Sequence, residues 1–306
     1  MGGAGAGDGL RRAAGTEDGV PASWRLRDRT LALGRRTLVM GILNVTPDSF
    51  YDGGRALDPD AALDRARALV AGGADLVDVG GESTRPGAIP VSAAEELARV
   101  APVIERVARE LDVAISVDTS KPEVAARALD LGAHLVNDVT ALADPVMARL
   151  VATSGAGVVL MHMRGDPRTM QRAPRYRDVV AEIAEYLSAR AAQARAAGIG
   201  ADRIAIDPGI GFGKTFEHNW EIVRRLGELA RVGYPLLVGL SRKTFLGEIV
   251  GGADPAGRAP PTFAAAVAAV LNGADVLRLH DPAEARPYLA VADRVRHGAR
   301  ASEAPT

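Results

Sequence analysis

The 306-residue sequence contains no cysteine. That absence excludes disulfides, thiolate metal sites, cysteine nucleophiles and iron–sulfur clusters, and it fits a cytoplasmic protein. No apolar run approaches the ~18 residues that a membrane span needs. The N-terminal stretch MGGAGAGDGLRRAAGTEDGVPAS lacks the continuous apolar segment of a secretory signal. An excess of positive charge is missing too: the formal net charge is −1 and the pI about 6.5, so no global basic surface points to nucleic acid or an anionic membrane. There is no H-E-x-x-H, and the five histidines are scattered, which argues against a protein-only zinc site. The stretch DPGIGFGKT resembles a phosphate loop, but Pro208 stands where G-x-x-x-x-G-K-[ST] needs its first glycine. GGESTR approaches a G-x-S-x-G nucleophile elbow, yet Arg85 occupies the last glycine position.

What remains is an ordinary globular composition, 47% hydrophobic and 25% charged, with enough chain to bury a large core. The glycine- and alanine-rich N-terminus reads as a disordered extension over residues 1–23, and residues 299–306 read as a flexible tail. Residues 24–298 form a single expected domain, because no composition break divides them.

From Thr37 onward a short β-branched or leucine-rich run is followed repeatedly by a polar loop and a longer Ala/Glu/Arg helix. Strands are expected at Leu38–Leu43, Leu76–Val79, Val113–Val117, His134–Asn137, Val158–His162, Arg203–Ile206, Pro235–Gly239 and Val276–Leu279. Apolar spacing at i, i+3 and i+4 predicts helices at Pro59–Ala71, Ala93–Leu111, Pro122–Leu131 and Asp144–Ala152. It does the same at Val179–Ala197, His218–Val232, Pro261–Leu271 and Ala283–His297. About eight strand–helix units with continuous apolar strands predict an α/β fold, a (β/α)8 TIM barrel with a parallel eight-stranded sheet and outer helices. An open doubly wound sheet is the alternative.

In such a barrel the site lies just after the strands' C-terminal ends. Those positions carry NVTPDSFYDGG, GGESTRPGA, DTSKP, ND, MHMRGDPRTM, DPGIGFGK, SRKT and RLHD. They would gather Asn44, Asp48, Asp52, Arg85, Asp118, Asn137, Asp207, Lys243, Arg278 and His280 at one mouth. Each has a structural alternative: Asp118 as a helix N-cap, Asp207 in a DPG turn, Asn137 and His280 satisfying backbone groups. Lys243 would be a solvated lysine at a helix start, a place that disfavours cations.

Sorted by charge, the mouth suggests two subsites. Asp118, Asn137 and Asp207 are acceptor-rich and suit a flat heterocycle with an amino-amidine edge, such as a pterin or guanine. Lys243 would donate to the same ring, with Phe212 and Met161 against its face. Arg278 and His280 alternate with Leu279 and so share a strand face. With Arg85 and nearby helix N-termini they suit phosphate or diphosphate. Asn44 offers the neutral oxygen that Mg2+ accepts when phosphate supplies its other ligands.

The ordered set MGILNVTPDSF.DGG, GGESTRPGA, SVDTSKPEV, ND, LMHM.G.P.TMQ, DPG.GFGK..EHN, LLVG.SRK and R.HD resembles the dihydropteroate synthase family of folate biosynthesis, over about Leu38 to His297. The resemblance implies a transferase that condenses 4-aminobenzoate with (7,8-dihydropterin-6-yl)methyl diphosphate, giving 7,8-dihydropteroate and diphosphate. It implies that Asp118, Asn137, Met161, Asp207, Phe212 and Lys243 bind the pterin, and that Asn44, Arg278 and His280 bind the diphosphate with Mg2+ through Asn44. Thr84, Arg85, Pro86 and Thr244 would form the aminobenzoate site, the first three on a mobile loop, with Asp118, Arg85, Asp52 and Lys243 in catalysis. It further implies a cytoplasmic homodimer, a sulfonamide target, with small-molecule substrates and neither nucleic acid nor membrane as partner. Three residues depart from the usual pattern: Tyr51 where a small residue is common, Thr244 for serine, and Ile210 for phenylalanine. Two other readings stay open, a non-catalytic pterin-binding paralogue and a methyltetrahydrofolate-dependent methyltransferase.

Overall fold

The computed structural model describes residues 22–46, 58–85, 87–252, 254 and 257–298. The expectations for Asp48, Tyr51, Asp52, Pro86, the N-terminal extension as far as residue 21 and the tail at 299–306 concern positions outside the described residues.

The chain starts with a hairpin, β1 (Ser23–Arg25) and β2 (Thr30–Ala32), paired antiparallel. Then come β3 (Leu38–Asn44), α1 (Pro59–Ala71), β4 (Leu76–Gly80), α2 (Ala93–Glu110), β5 (Ala114–Asp118), α3 (Pro122–Asp130) and β6 (Leu135–Asp138). They are followed by α4 (Pro145–Ser154), β7 (Gly157–Met161), α5 (Val179–Ala196), β8 (Ile204–Asp207), α6 (Phe216–Arg224) and α7 (Leu226–Ala230). The last are β9 (Leu237–Val238), α8 (Thr244–Glu248), α9 (Ala259–Leu271), β10 (Val276–Leu279) and α10 (Pro282–His297).

The eight strands β3–β10 form one parallel sheet, ordered β8-β7-β6-β5-β4-β3-β10-β9. An Ile206–Leu236 bridge joins its two ends, so the sheet closes as a (β/α)8 TIM barrel. Local chemistry favours each unit. Asp58, Ser92, Asp144, Asp178 and Thr215 cap α1, α2, α4, α5 and α6 by accepting from first-turn N–H groups. Proline opens α1, α3 and α4 where no N–H is needed.

Alternate residues of each strand enter two different cores. Val77, Val79, Ile115, Val117, Val136, Val158, Leu160, Ile204 and Leu279 pack outward against the helices. Leu38, Met40, Leu76, Ala114, Leu135, Val159, Ala205, Leu237 and Val276 fill the lower lumen, together with Trp24, Leu26 and Leu33 of the hairpin segment. Trp24 is fully buried and donates from Nε1 to the Arg203 carbonyl at 3.1 Å. The hairpin therefore plugs the barrel floor.

Two expectations need correction. The strand rhythm was expected from Thr37 onward, with the extension reaching Ser23, but Ser23 already belongs to the plugging hairpin. The helix expected over His218–Val232 is two helices, broken at Arg225, whose N–H is shared by the Glu221 and Ile222 carbonyls in a tightened turn. The short α8 was not anticipated. Among the described residues no helix is long and apolar enough to cross a membrane.

Candidate active site

Continuing the inward alternation upward from the apolar floor turns the lumen polar. On β4 the inward series runs Leu76, Asp78, Gly80; on β5, Ala114, Ser116, Asp118; on β10, Val276, Arg278, His280. Arg278 Nε donates to Asp78 Oδ2 at 2.6 Å and Nη2 to Asp118 Oδ2 at 2.8 Å. The Asn137 amide donates to the same Asp78 oxygen at 3.2 Å. Asp78 is fully buried, and its Oδ1 and the Ser116 hydroxyl have no hydrogen-bond partner among the described residues. Buried acceptors left in that state favour a ligand rich in donors.

Asp207, at the end of β8, is buried and accepts from the Gly209 N–H at 2.7 Å. This is the turn interaction expected of DPG, and Gly209 is the residue it needs. Its φ is +64°, and a Cβ there would meet the His162 carbonyl oxygen at 1.9 Å and Met161 Cγ at 3.2 Å. Met161 is buried beside it. Across the mouth, the Lys243 ammonium lies 4.3 Å from the Phe212 ring centroid. No described carboxylate comes within ion-pair distance of it. Arg242, just before it, holds φ +57° and pairs with Asp281 at 2.8 Å, which aims the SRK turn.

These surroundings shift the proton affinities. Burial pushes Asp118 up to about 7 against the pull of Arg278, helped by the charges of Asp78, Glu96 and Asp138. Burial likewise raises Asp207 to about 6, opposed by the Gly209 N–H and Lys243. Burial lowers Lys243 to about 8, with Arg278 acting in the same direction and Asp207 and Asp118 against it. His280 falls to about 3 through burial and then the charges of Arg278, Arg242, Arg85 and Arg65. It is therefore neutral near pH 7. Ser241 Oγ accepts the His280 backbone N–H at 3.2 Å and lies 2.9 Å from Nδ1. A hydroxyl that accepts from the backbone can donate its own proton to Nδ1, which leaves Nε2–H as a donor for an anion.

The remaining expected residues take these places. Asn44 ends β3, half-buried, with no side-chain hydrogen bond to another described residue. Thr84 is half-buried and Arg85 exposed on the loop after β4, and the charge of Arg85 is felt at Lys243 and His280. Thr244 is exposed at the first position of α8. Asp118 is not a helix cap, because the residue at the N-cap of α3 is Lys121. The division into acceptor and anion sides is also cruder than the geometry. Arg278, assigned to the anion side, has its guanidinium between the two carboxylates of the acceptor side.

Sequence reasoning missed Asp78, although a carboxylate inside an apolar strand was visible in LVDVG. It also missed Lys214, a fully buried lysine whose ammonium touches His162 Nδ1 at 3.0 Å and the Phe212 carbonyl at 2.9 Å. Burial pushes that lysine well below its ordinary value. The pair ties the loop after β7 to the loop that carries Phe212.

A family model described as pterin binding enzyme matches residues 40–280. The chain is 46% identical to a dihydropteroate synthase of Synechocystis sp., over 85% of this chain and 90% of that protein. The structure of Yersinia pestis dihydropteroate synthase with a sulfonamide drug superimposes with a TM-score of 0.85 at 43% identity, covering 90% of this chain and 99% of that one. The Xanthomonas albilineans dihydropteroate synthase with 4-aminobenzoic acid gives a TM-score of 0.84 at 45% identity, covering 90% and 98%.

Proposed function

Because the chain belongs to the pterin-binding enzyme family, and within it to the dihydropteroate synthases, we propose that it joins 4-aminobenzoate to (7,8-dihydropterin-6-yl)methyl diphosphate and releases diphosphate. The observation that carries this reading is the single mouth in which Asp118, Asn137, Arg278 and the orphaned Asp78 oxygen lie across from Lys243 and Phe212.

In this reading Asp118, Asn137 and Asp207 accept from the donor edge of the pterin. Lys243 donates to its carbonyl side, while Met161 and Phe212 bound its face. Asn44, Arg278 and the Nε2–H of neutral His280 hold the diphosphate. Arg278 serves both halves, since its charge balances Asp78 and Asp118 before the diphosphate arrives. Thr84, Arg85 and Pro86, with the Thr244 hydroxyl and N–H, receive the aminobenzoate. The carbon–oxygen bond to diphosphate breaks first. The electron-rich dihydropterin delocalises the cation, and Asp118 and Asp52 stabilise it. The aminobenzoate nitrogen then attacks the methylene carbon and loses a proton. No covalent enzyme intermediate is needed, in keeping with the missing nucleophile motifs. The main contribution is fixed charge aimed at the leaving group.

Mg2+ fits the donor set of Asn44, a hard neutral oxygen that makes no other side-chain hydrogen bond to a described residue. Among the described residues no group of three or more His, Asp or Glu is arranged to hold a metal, so the diphosphate would supply most ligands. When bound, the ion offsets charge on the departing diphosphate.

A homodimer through the last two helices completes the proposal. Tyr288, Val291 and Val295 on α10 are 49%, 64% and 69% exposed. The Ala-rich stretch of α9 lies mostly in the core instead, through Phe263, Ala265, Ala266, Ala269 and Val270. A cytoplasmic location and competition by sulfonamides for the aminobenzoate site follow from the same reading.

The test is diphosphate release with both substrates, with and without Mg2+. Turnover that needs aminobenzoate and is stimulated by Mg2+ is expected. A thermal shift with the pterin diphosphate but no turnover would leave a non-catalytic pterin binder. Methyl transfer from methyltetrahydrofolate without diphosphate release would leave the methyltransferase reading.

A further inference from the structure

Under the loop after β4 lies a charged cluster of Glu82, Glu96 and Lys121, none of which is assigned to substrate. The Lys121 ammonium sits between the Glu82 Oε2 oxygen, at 2.6 Å, and Glu96 Oε2. Glu96 belongs to α2 and is fully buried, with its second oxygen unpartnered among the described residues. Lys121 stands at the N-cap of α3 with no side-chain cap bond, where the helix dipole opposes a cation. Burial works against its charge as well, and the two carboxylates still hold it above the ordinary lysine value. A cation kept there against both influences has a job set by its partners.

Those partners define the job. Glu82 Oε1 accepts the N–H of Val91 at 3.0 Å. One carboxylate therefore clasps the two ends of the segment 83–90, which contains Thr84 and Arg85, and through Lys121 ties that clasp to the loop following Asp118. Beneath it, Arg99 donates to the Gly81 carbonyl at 2.7 Å. A Cβ on Gly81 would meet Val100 at 2.8 Å and Glu96 at 3.0 Å, so the start of the segment lies flat on α2. Toward its tip, the Gly87 N–H donates to the Pro167 carbonyl of another loop at 3.1 Å.

We propose that Glu82 and Lys121 are positioning residues for the aminobenzoate half of the site, fixing where the segment that carries Thr84 and Arg85 stands relative to Asp118. The inference rests on the synthase reading for its substrates. The ion pair at the base of the segment sets the geometry of the aminobenzoate subsite and not that of the pterin subsite.

The test uses Glu82→Gln, Lys121→Met and Lys121→Arg in the full chain. Glu82→Gln keeps an acceptor for the Val91 N–H and replaces the carboxylate oxygen that faces Lys121 with an amide NH2, which removes both the charge and the acceptor there. The KM for aminobenzoate is expected to rise about tenfold in Glu82→Gln and Lys121→Met, with pterin diphosphate affinity within about twofold of wild type. The double variant should be no worse than either single one, because they break the same contact, and Lys121→Arg should recover most of the loss. Hydrogen exchange is the readout independent of turnover: amides 83–91 should exchange faster in Glu82→Gln while the barrel strands keep wild-type protection. Equal loss of both substrates, additive single effects, or unchanged exchange at 83–91 would overturn the assignment. Absence of turnover in the wild type would sink the synthase reading alone, since the exchange comparison still decides whether the clasp holds the loop.

Discussion

Replacing Arg278 with methionine removes one cation from between two carboxylates that are otherwise close to fully buried. Asp78 is 0% and Asp118 11% exposed at the side chain, and both touch the guanidinium, at 2.6 and 2.8 Å. Breaking a buried pair by deleting one partner costs about 3–5 kcal/mol, because the other partner stays behind as an uncompensated charge. That cost must depend on pH, and its sign can be worked out. Asp118 already takes up its proton at about 7 in the folded protein, above the ~3.9 of an unfolded aspartate. Loss of a neighbouring guanidinium raises a carboxyl by about 1–3 further units, each worth ~1.4 kcal/mol. A carboxyl raised by folding loses stability as pH rises toward its folded value. The variant keeps losing above 7, where the wild type has finished. Only the two pH units between 7 and 9 can contribute, so the stability gap should be ~1.4–2.7 kcal/mol wider at pH 9 than at pH 6. Urea titrations at the two pH values, followed by tryptophan fluorescence, measure it directly. Asp78→Asn combined with Arg278→Met should recover part of the loss, since it removes the like charge that Asp118 would otherwise face with no cation between them. A gap identical at both pH values, or one below about 1 kcal/mol at pH 9, would mean that the two aspartates are solvated and that the charge argument for this mouth is wrong.

Lys243→Ala should weaken pterin binding by about 10–100-fold, the value of charged hydrogen bonds in a half-buried site, as read by calorimetry; unchanged affinity removes Lys243 from the site. In the wild type, pterin affinity should fall below pH about 7, as first Asp118 and then, near 6, Asp207 take up protons and lose the charge that receives the ring's donors, and above about 8, as Lys243 loses its proton and its charge; a flat profile across that range refutes these roles. Gly209→Ala should cost about 2–5 kcal/mol, adding a left-handed backbone penalty to overpacking against His162. Gly233→Ala, at φ +90° with nothing within 4 Å of the new Cβ, should cost only about 1–2 kcal/mol, so melting temperatures of the two variants separate the contributions.

Much of the barrel is legible in the sequence because each strand is a short apolar run and each helix has a capped start. Val276–Leu279 and Pro59–Ala71 coincide with the observed elements, and most other boundaries agree within a residue or two. The hairpin was harder. SWRLRDRTLALG has a buried Trp24, Leu26 and Leu33, but two strands of three residues leave little periodic pattern to detect. The break at Arg225 was hidden for another reason, since the apolar spacing continues across it into Leu226 and Leu229. At the mouth, the gathering of strand-end residues such as Asp118, Asn137, Asp207 and Arg278 was legible because a closed parallel barrel brings its strand ends to one rim. Lys121, Glu82 and Glu96 were not, because their meaning lies in contacts between three different loops and helices.

Asp78 shows most clearly what a sequence of this class withholds. A strand buried on both faces has no polar side, so its pattern does not say which alternate residues face the lumen. The phase becomes readable only from the strand end: if Asp118 faces inward, then so do Ser116 and Ala114, and by pairing so do Gly80 and Asp78. Applied around the barrel, that rule places the apolar floor at Leu76, Ala114, Leu135 and Val276, and the polar layer two residues higher at Asp78, Ser116, Asn137 and Arg278. On β4, β5, β6 and β10 the lumen thus changes character within one inward step. A flat ring entering from the mouth would stop where acceptors and the Arg278 guanidinium give way to leucine, because going deeper would strip its donors of partners. The depth at which a ring could sit is therefore set by the inward residue before the ends of these four strands, above a floor that Trp24, Leu26 and Leu33 of the hairpin segment close from below.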